Sequence, residues 1–223
     1  MSGNDPHCEQ SGPLRLYFHP ASDASRKVLL TAAYLELDLD LQVVDVKRLA
    51  HQQPEYLKLN PNGLFPLLIE GDFVLWESSA IMQYLAEKNS DTPLWPSDIR
   101  LRADVTRWQC WDLAHWGPAL RPFMWEHVGK KIKGLGEPDQ AELERALPAQ
   151  VRLAGVLNDH LANRDWLVGD GLSLADLSVA SHLMYRDLAR LPLDSYPHIY
   201  RWFASVEALP CWRSTRPPIP GTL

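Results

Sequence analysis

Cysteine is scarce in this chain. Its 223 residues include three, Cys8, Cys110 and Cys211, and no CxxC pair. So sparse and odd a set excludes a disulfide framework and fits a reducing compartment. Basic residues are outnumbered too, 22 Lys and Arg against 28 Asp and Glu, for a formal net charge of -6. No Lys/Arg block breaks that balance, whereas a nucleic-acid surface shows a basic patch. Long apolar runs are also missing, and none approaches the roughly 18 residues of a membrane span. The opening MSGNDPHCEQSGP is polar and lacks the apolar core of a signal peptide. It predicts a flexible extension over residues 1–13 and a cytoplasmic protein with neither nucleic-acid nor membrane partners.

What is present is an ordinary globular composition, 46% hydrophobic and 22% charged. Residues 14–18, LRLYF, alternate like a short strand. Val28, Leu29, Ala32 and Ala33 then recur at the spacing of one helical face. Residues 37–43 alternate strictly, which predicts a second strand with Leu37, Leu39, Leu41 and Val43 on one face. This β-α-β order favours a parallel pair with a right-handed crossover. A polar loop and a short helix follow, then the turn Asn60-Pro61-Asn62-Gly63. Two strands flank Gly71-Asp72, the signature of a II′ hairpin. A helix carrying Ile81, Tyr84 and Leu85 starts at Ser78.

The first part is thus predicted as a thioredoxin-like βαβ-ββα domain over residues 14–88. Residues 89–97, with two prolines and no periodicity, read as a linker. Beyond it strand signals vanish, which predicts an all-helical domain over 98–223 with helices about 99–128, 139–161, 173–188 and 199–209. Ser173 and Asp176 form a capping-box pattern, with Leu172 and Leu177 at the staple positions. The fold class is therefore α/β followed by all-α.

Three junctions could carry chemistry. Ser22 lies between the first strand and the first helix, where free N–H groups and the helix dipole favour an anion. It reads either as a helix cap or as a donor to a bound thiolate. Lowering a thiol pKa by about two units needs about 2.7 kcal/mol. One hydrogen bond to a charged group contributes about 1.5–3 kcal/mol, so a hydroxyl aided by the dipole suffices. At Phe65-Pro66 a proline enters a strand pattern, and the spacing predicts a cis bond or an edge-strand proline. A cis bond would turn the Phe65 backbone toward a cleft, where an extended peptide could pair with it. Glu77-Ser78 reads as a second cap, or as a site for a ligand carboxylate on Ser78 and an ammonium on Glu77.

These stretches resemble the glutathione transferase family over nearly the whole chain. HPASDASRKVLL resembles the first-helix motif of the phi class and of theta-like bacterial enzymes. DVKRLAHQQPEYLKLNPNGLFPLL resembles their loop and cis-proline region. WESSAIMQYLAEK resembles their Glu-Ser motif, and GLSLADLSVASHL their second-domain capping box. The resemblance implies that Ser22 activates the glutathione sulfur, with Ser25 as the rival close to Arg26. It also implies that Phe65 and Pro66 hold the cysteinyl part, Glu77 and Ser78 the γ-glutamyl end, and His51 the glycyl carboxylate. Gln52 stands where the phi class usually has lysine, which weakens the expected glycyl contact. His115 and Trp116 correspond to the lining of the hydrophobic substrate pocket.

Glutathione is thus the implied co-substrate, without a metal, and small hydrophobic electrophiles are the implied partners. A homodimer is implied as well, pairing the first domain of one subunit with the second of the other. The absence of cysteine from residues 14–34 disfavours the thiol-disulfide members of the family. A specialised lyase, dehalogenase or isomerase shares every glutathione-site residue, and a non-catalytic interaction protein is the remaining alternative.

Overall fold

The computed structural model describes residues 12–89 and 91–218. All but the last two residues of the predicted extension, and Cys8 with them, lie outside the described residues. The first half runs β1 (Leu14–Phe18), α1 (Asp23–Tyr34), β2 (Asp40–Val43), a 3-10 turn (Ala50–Gln52), α2 (Pro54–Leu59), β3 (Leu67–Glu70), β4 (Phe73–Trp76) and α3 (Ser78–Glu87). The four strands form one mixed sheet in the order β2-β1-β3-β4. β2 is parallel to β1, while β3 and β4 are antiparallel to their neighbours. Glu70 pairs with Phe73 across the two-residue Gly71-Asp72 loop, and Gly71 supplies the positive φ a II′ turn requires.

Side-chain alternation divides the sheet between two cores. Leu16, Phe18 and Leu68 join Val28, Ile81 and Leu85 in the main core. Tyr17, Leu67 and Ile69 point the other way, into a smaller cluster with Val44 and Tyr56. The predicted second strand is shorter than its alternation. It begins at Asp40, and Leu41 and Val43 stay 48% and 63% exposed. They stand opposite Leu16 and Phe18, but on the sheet's outer edge, where the helices covering β1 do not reach.

From residue 99 on, the described residues form no strand. A nearly continuous helical run holds α4 (Ile99–Trp111), a π turn (Asp112–Trp116), α5 (Gly117–Met124), a second π turn (Trp125–Gly129) and α6 (Lys130–Lys133). The sequence predicts one regular helix to 128. Pro118 and Pro122 supply no N–H to such a ladder, and the wider turns lie just before and just after the segment they occupy. The second half is completed by α7 (Gln140–His160), α8 (Leu174–Ser181), α9 (Pro197–Glu207) and α10 (Pro210–Ser214). α8 stops seven residues short of the predicted end at 188. There the Ser181 hydroxyl donates to the Ser178 carbonyl at 2.7 Å, and Leu183 and Met184 turn back onto residues three earlier.

Trp108, Trp116, Trp202 and Phe203 are the bulk of the helical core. The capping box forms as the sequence predicts, with Asp176 completely enclosed. Its carboxylate accepts from the Ser173 N–H and hydroxyl, the Leu167 N–H and the Trp202 indole, each at 2.9 Å. Nor is the linker loose, since the Leu94 carbonyl accepts from the Leu174 N–H at 2.9 Å where α8 begins. Removing the carboxylate by Asp176→Ala leaves buried donors unpaired at about 1–3 kcal/mol apiece. Urea denaturation is expected to show a loss of about 4 kcal/mol or more, and a loss below about 1 kcal/mol would contradict this role.

Candidate active site

Backbone register gathers the candidate residues at one end of the sheet. Tyr17 pairs with Leu67, and Leu67 with Trp76, while Phe18 pairs with Val43 on the other side. The segments that adjoin these ends of the four strands are 19–22, 65–66, 77–78 and 44–53. They therefore emerge together, and the N-termini of α1 and α3 open at the same end.

The first of these segments is tightly built. The Ser22 N–H donates to the His19 carbonyl at 3.0 Å, and the Ala21 N–H to His19 Nδ1 at 3.3 Å. Ser22 is extended and caps α1, its Oγ accepting from the Ser25 N–H at 3.2 Å. The structural role is thus present, and it does not exclude the chemical one. A hydroxyl accepts with a lone pair and donates with its proton, so the Ser22 proton remains free to donate. Ser25 is different: it is fully buried, and its Oγ accepts from the His19 N–H at 3.2 Å. Ser22 is only half-buried. Of the two rival hydroxyls, Ser22 is the one solvent reaches.

The Phe65-Pro66 bond is cis. Tyr56 and Asn60 both donate to the Leu64 carbonyl at 2.8 Å, which anchors the loop just before it. Among the described residues the Phe65 backbone N–H and C=O have no hydrogen-bond partner. The Phe65 ring lies 5.6 Å from that of His19 and 5.8 Å from that of His51. Burial, and then neighbouring His51, hold the His19 pKa below its usual value. His51 Nδ1 is buried without a hydrogen-bond partner, while Gln52 beside it is exposed.

Glu77 is exposed and takes a φ of +73°, a left-handed backbone that costs a non-glycine residue about 1–3 kcal/mol. That conformation turns the chain sharply into α3. Ser78 and Ser79 follow, both buried, and the Ser79 hydroxyl has no partner.

Next to Ser22 lies a cavity of about 220 Å³. Ala21 and Asp23, the residues flanking Ser22, line it with Gly117, Leu120, Arg121 and Met124 of α5 and with His182 and Met184. Neither His115 nor Trp116, the pocket residues the resemblance implies, is among its lining. Trp116 is wholly enclosed, its indole N–H donating to the Val179 carbonyl at 3.3 Å and its ring stacked on Trp111. His115 is exposed and does not line the cavity either. Of this helical run, the residues that line the cavity begin at Gly117, just after the π turn. A larger cavity of about 610 Å³ opens beside Arg26 and Trp212, but no sequence-predicted site residue lines it.

A chain of buried charges, missed in the sequence, backs the smaller cavity. Lys27 pairs with Asp112 Oδ2, which also accepts from the Ser178 hydroxyl at 2.8 Å. His182 Nε2 stands 2.8 Å from Asp112 Oδ1, off the N–H direction, so that contact is one of charge rather than a hydrogen bond. His182 Nδ1 lies 2.6 Å from Asp23 Oδ2. Burial opposes the imidazolium, yet Asp112 and Asp23 outweigh it and raise the His182 pKa to about 9. For Asp112, too, burial is the largest influence and acts upward, but His182 and Lys27 hold its carboxyl below the usual range. Gly117 is the one local hint of this cluster, since a Cβ there would lie 2.8 Å from His182 Cε1.

Comparisons with known proteins show what the chain is similar to. Residues 12–87 match the family model described as Glutathione S-transferase, N-terminal domain, and residues 114–210 match the corresponding C-terminal domain. The chain is 33% identical over 216 residues to Glutathione S-transferase 3 of Zea mays, covering 93% of this chain and 95% of that protein. Among solved structures, glutathione transferase F7 from Populus trichocarpa superposes with a TM-score of 0.84 at 28% identity, covering 91% of this chain and 97% of that one. A delta-class glutathione transferase of Nilaparvata lugens gives 0.77 at 30% identity, covering 92% and 93%.

The His182 pKa carries a sign. Its folded value lies above the ordinary 6.5, so the stability it contributes is fully present below about pH 6.5 and is lost as pH rises through about 9. Thermal melts are expected to show His182→Gln well below wild type near neutral pH, with the two curves converging above about pH 9. Parallel curves across that range would contradict a charged His182.

Proposed function

The chain belongs to the glutathione S-transferase family, and from that premise we propose how its own residues conjugate glutathione to electrophiles. The observation that carries the proposal is the state of Ser22, which is half-exposed at the opening of α1 and has a hydroxyl proton that its capping role leaves free. In this reading the Ser22 proton donates to the glutathione sulfur, favouring thiolate over thiol, and the α1 N-terminus adds to that preference. The thiol proton leaves to solvent. The thiolate then attacks an electrophilic carbon, and the leaving group departs with its bonding electrons.

Other residues hold the tripeptide. The unpaired Phe65 N–H and C=O suit antiparallel pairing with its cysteinyl unit, in the loop that ends at Pro66. Ser78 and the free N–H groups at the start of α3 suit the γ-glutamyl carboxylate, and Glu77 suits its ammonium. The buried, unpaired His51 Nδ1 and the neighbouring Gln52 are assigned to the glycyl end. The cavity walled by Leu120, Met124 and Met184 is assigned to a small hydrophobic electrophile.

The same reading includes a homodimer in a reducing, cytoplasmic setting. The thiols of Cys110 and Cys211 are both free, and among the described residues no helix is long and apolar enough to cross a membrane. Edge strand β4 leaves Phe73 42% and Trp76 38% exposed, and Ile99 and Trp125 are exposed in the helical half.

Ser22→Ala removes one hydrogen bond to a charged sulfur, so kcat near neutral pH is expected to fall about ten-fold or more, with the pH–rate profile displaced to higher pH. An unchanged profile would reject the role. Phe73→Glu is expected to convert the dimer to monomer in light scattering, and a dimer of undiminished mass would move the interface elsewhere.

A further inference from the structure

The charge chain ends one residue from Ser22, and the proposed conjugation makes no use of it. Asp23 stands in the first turn of α1, with Oδ1 accepting from the Ala24 N–H at 2.7 Å. A bare carboxylate at that place would disfavour a second anion at the same helix end. It is not bare, because His182 Nδ1 lies 2.6 Å from Oδ2. On its other side the imidazole faces Asp112 Oδ1, while Asp112 Oδ2 is held by Lys27 and Ser178. Gly117 leaves the room in which the ring sits.

We infer that His182 is a positioning residue for the thiolate: its imidazolium neutralises Asp23 and keeps the opening turn of α1 receptive to the sulfur anion. The inference rests on the assignment of Ser22 as the sulfur's donor. The charged groups around His182 are Asp23 and Lys27 from α1, Asp112 from the π turn, and Arg121, which lines the same cavity from α5. Lys27, Asp112, His182 and Asp23, the four joined by direct contacts, sum to zero, and Arg121 makes no ion pair with them. Removing the charge of His182 leaves an excess anion beside the sulfur, whereas removing that of Asp23 leaves an excess cation. The depressed Asp23 pKa is in keeping with this. Burial acts to raise it, but His182, then Lys27 and the Ala24 N–H, hold it well below the usual carboxylate range.

The test is the pKa of bound glutathione, read by ultraviolet difference spectroscopy of the thiolate in complexes of wild type, Ser22→Ala, His182→Gln, Asp23→Asn and the His182→Gln/Asp23→Asn double variant. His182→Gln is expected to raise it by about one unit, Asp23→Asn to lower it, and the double variant to return near wild type. A merely structural histidine would give singles that shift the same way, or a double variant as displaced as His182→Gln, and either result overturns the inference. Should His182→Gln fail to fold, Asp23→Asn decides alone, because the Asp23 side chain is 44% exposed and tolerates the change. An unchanged or raised thiol pKa in that variant overturns the inference. Ser22→Ala separates the two layers. A wild-type thiol pKa there sinks the Ser22 assignment, whereas a raised one with both charge variants unmoved sinks only the role of His182.

Discussion

Tyr17, Leu67 and Trp76 lie side by side across three strands, and the candidate site depends on that alignment more than on any side-chain contact. A one-residue slip between β3 and either neighbour would carry every side chain of one strand to the wrong face. It would also move the Phe65 loop away from the openings of α1 and α3. Two devices oppose such a slip. The Gly71-Asp72 turn fixes β3 against β4, and the split of Leu67 and Leu68 between the two cores penalises any shift against β1. The placing of the candidate residues is a property of the sheet before it is a property of any single residue.

The chemistry added to that frame is economical in residues because single groups serve twice. The Ser22 oxygen closes the first turn of a helix while its proton stays free to donate. The φ of Glu77 turns the chain into α3, whose first N–H groups have no partner within the helix. Substitutions at either residue therefore change local folding and ligand contact together, so a loss of activity needs a stability measurement beside it.

How far the sequence discloses this depends on the range of each signal. The hairpin at Gly71-Asp72, the box at Ser173 and Asp176 and the cis bond before Pro66 are written in two to four adjacent residues, and all are present. The β-α-β pattern and the short turn point to the β1–β2 and β3–β4 pairings, and the β1–β3 pairing joins them in the structure. The π turn at Asp112–Trp116 is a different matter: it leads into Gly117, which packs against His182 65 positions later. Nothing local in DLAHW shows that Trp116 points into the core and leaves the cavity wall to Leu120 and Met124. The same holds for Lys27 and Asp112, which read as ordinary surface charges until the two halves meet. Motif resemblance names residues that the sheet register brings to one end of the sheet, whereas the lining of the neighbouring cavity comes from helices distant in sequence.

Arg26 shows how closely those halves depend on each other. Its guanidinium is almost wholly buried, lies 4.0 Å over the Trp212 ring and donates to the Trp212 carbonyl at 3.0 Å. Neighbouring Lys27 is equally enclosed and takes its counter-ion from Asp112. Cut free of everything beyond residue 88, α1 would present two stranded cations on the face that should be oil. The two family signatures therefore do not mark interchangeable building blocks. Recombining this front half with a foreign back half would demand a matching acid and a matching indole before it produced a soluble chimera.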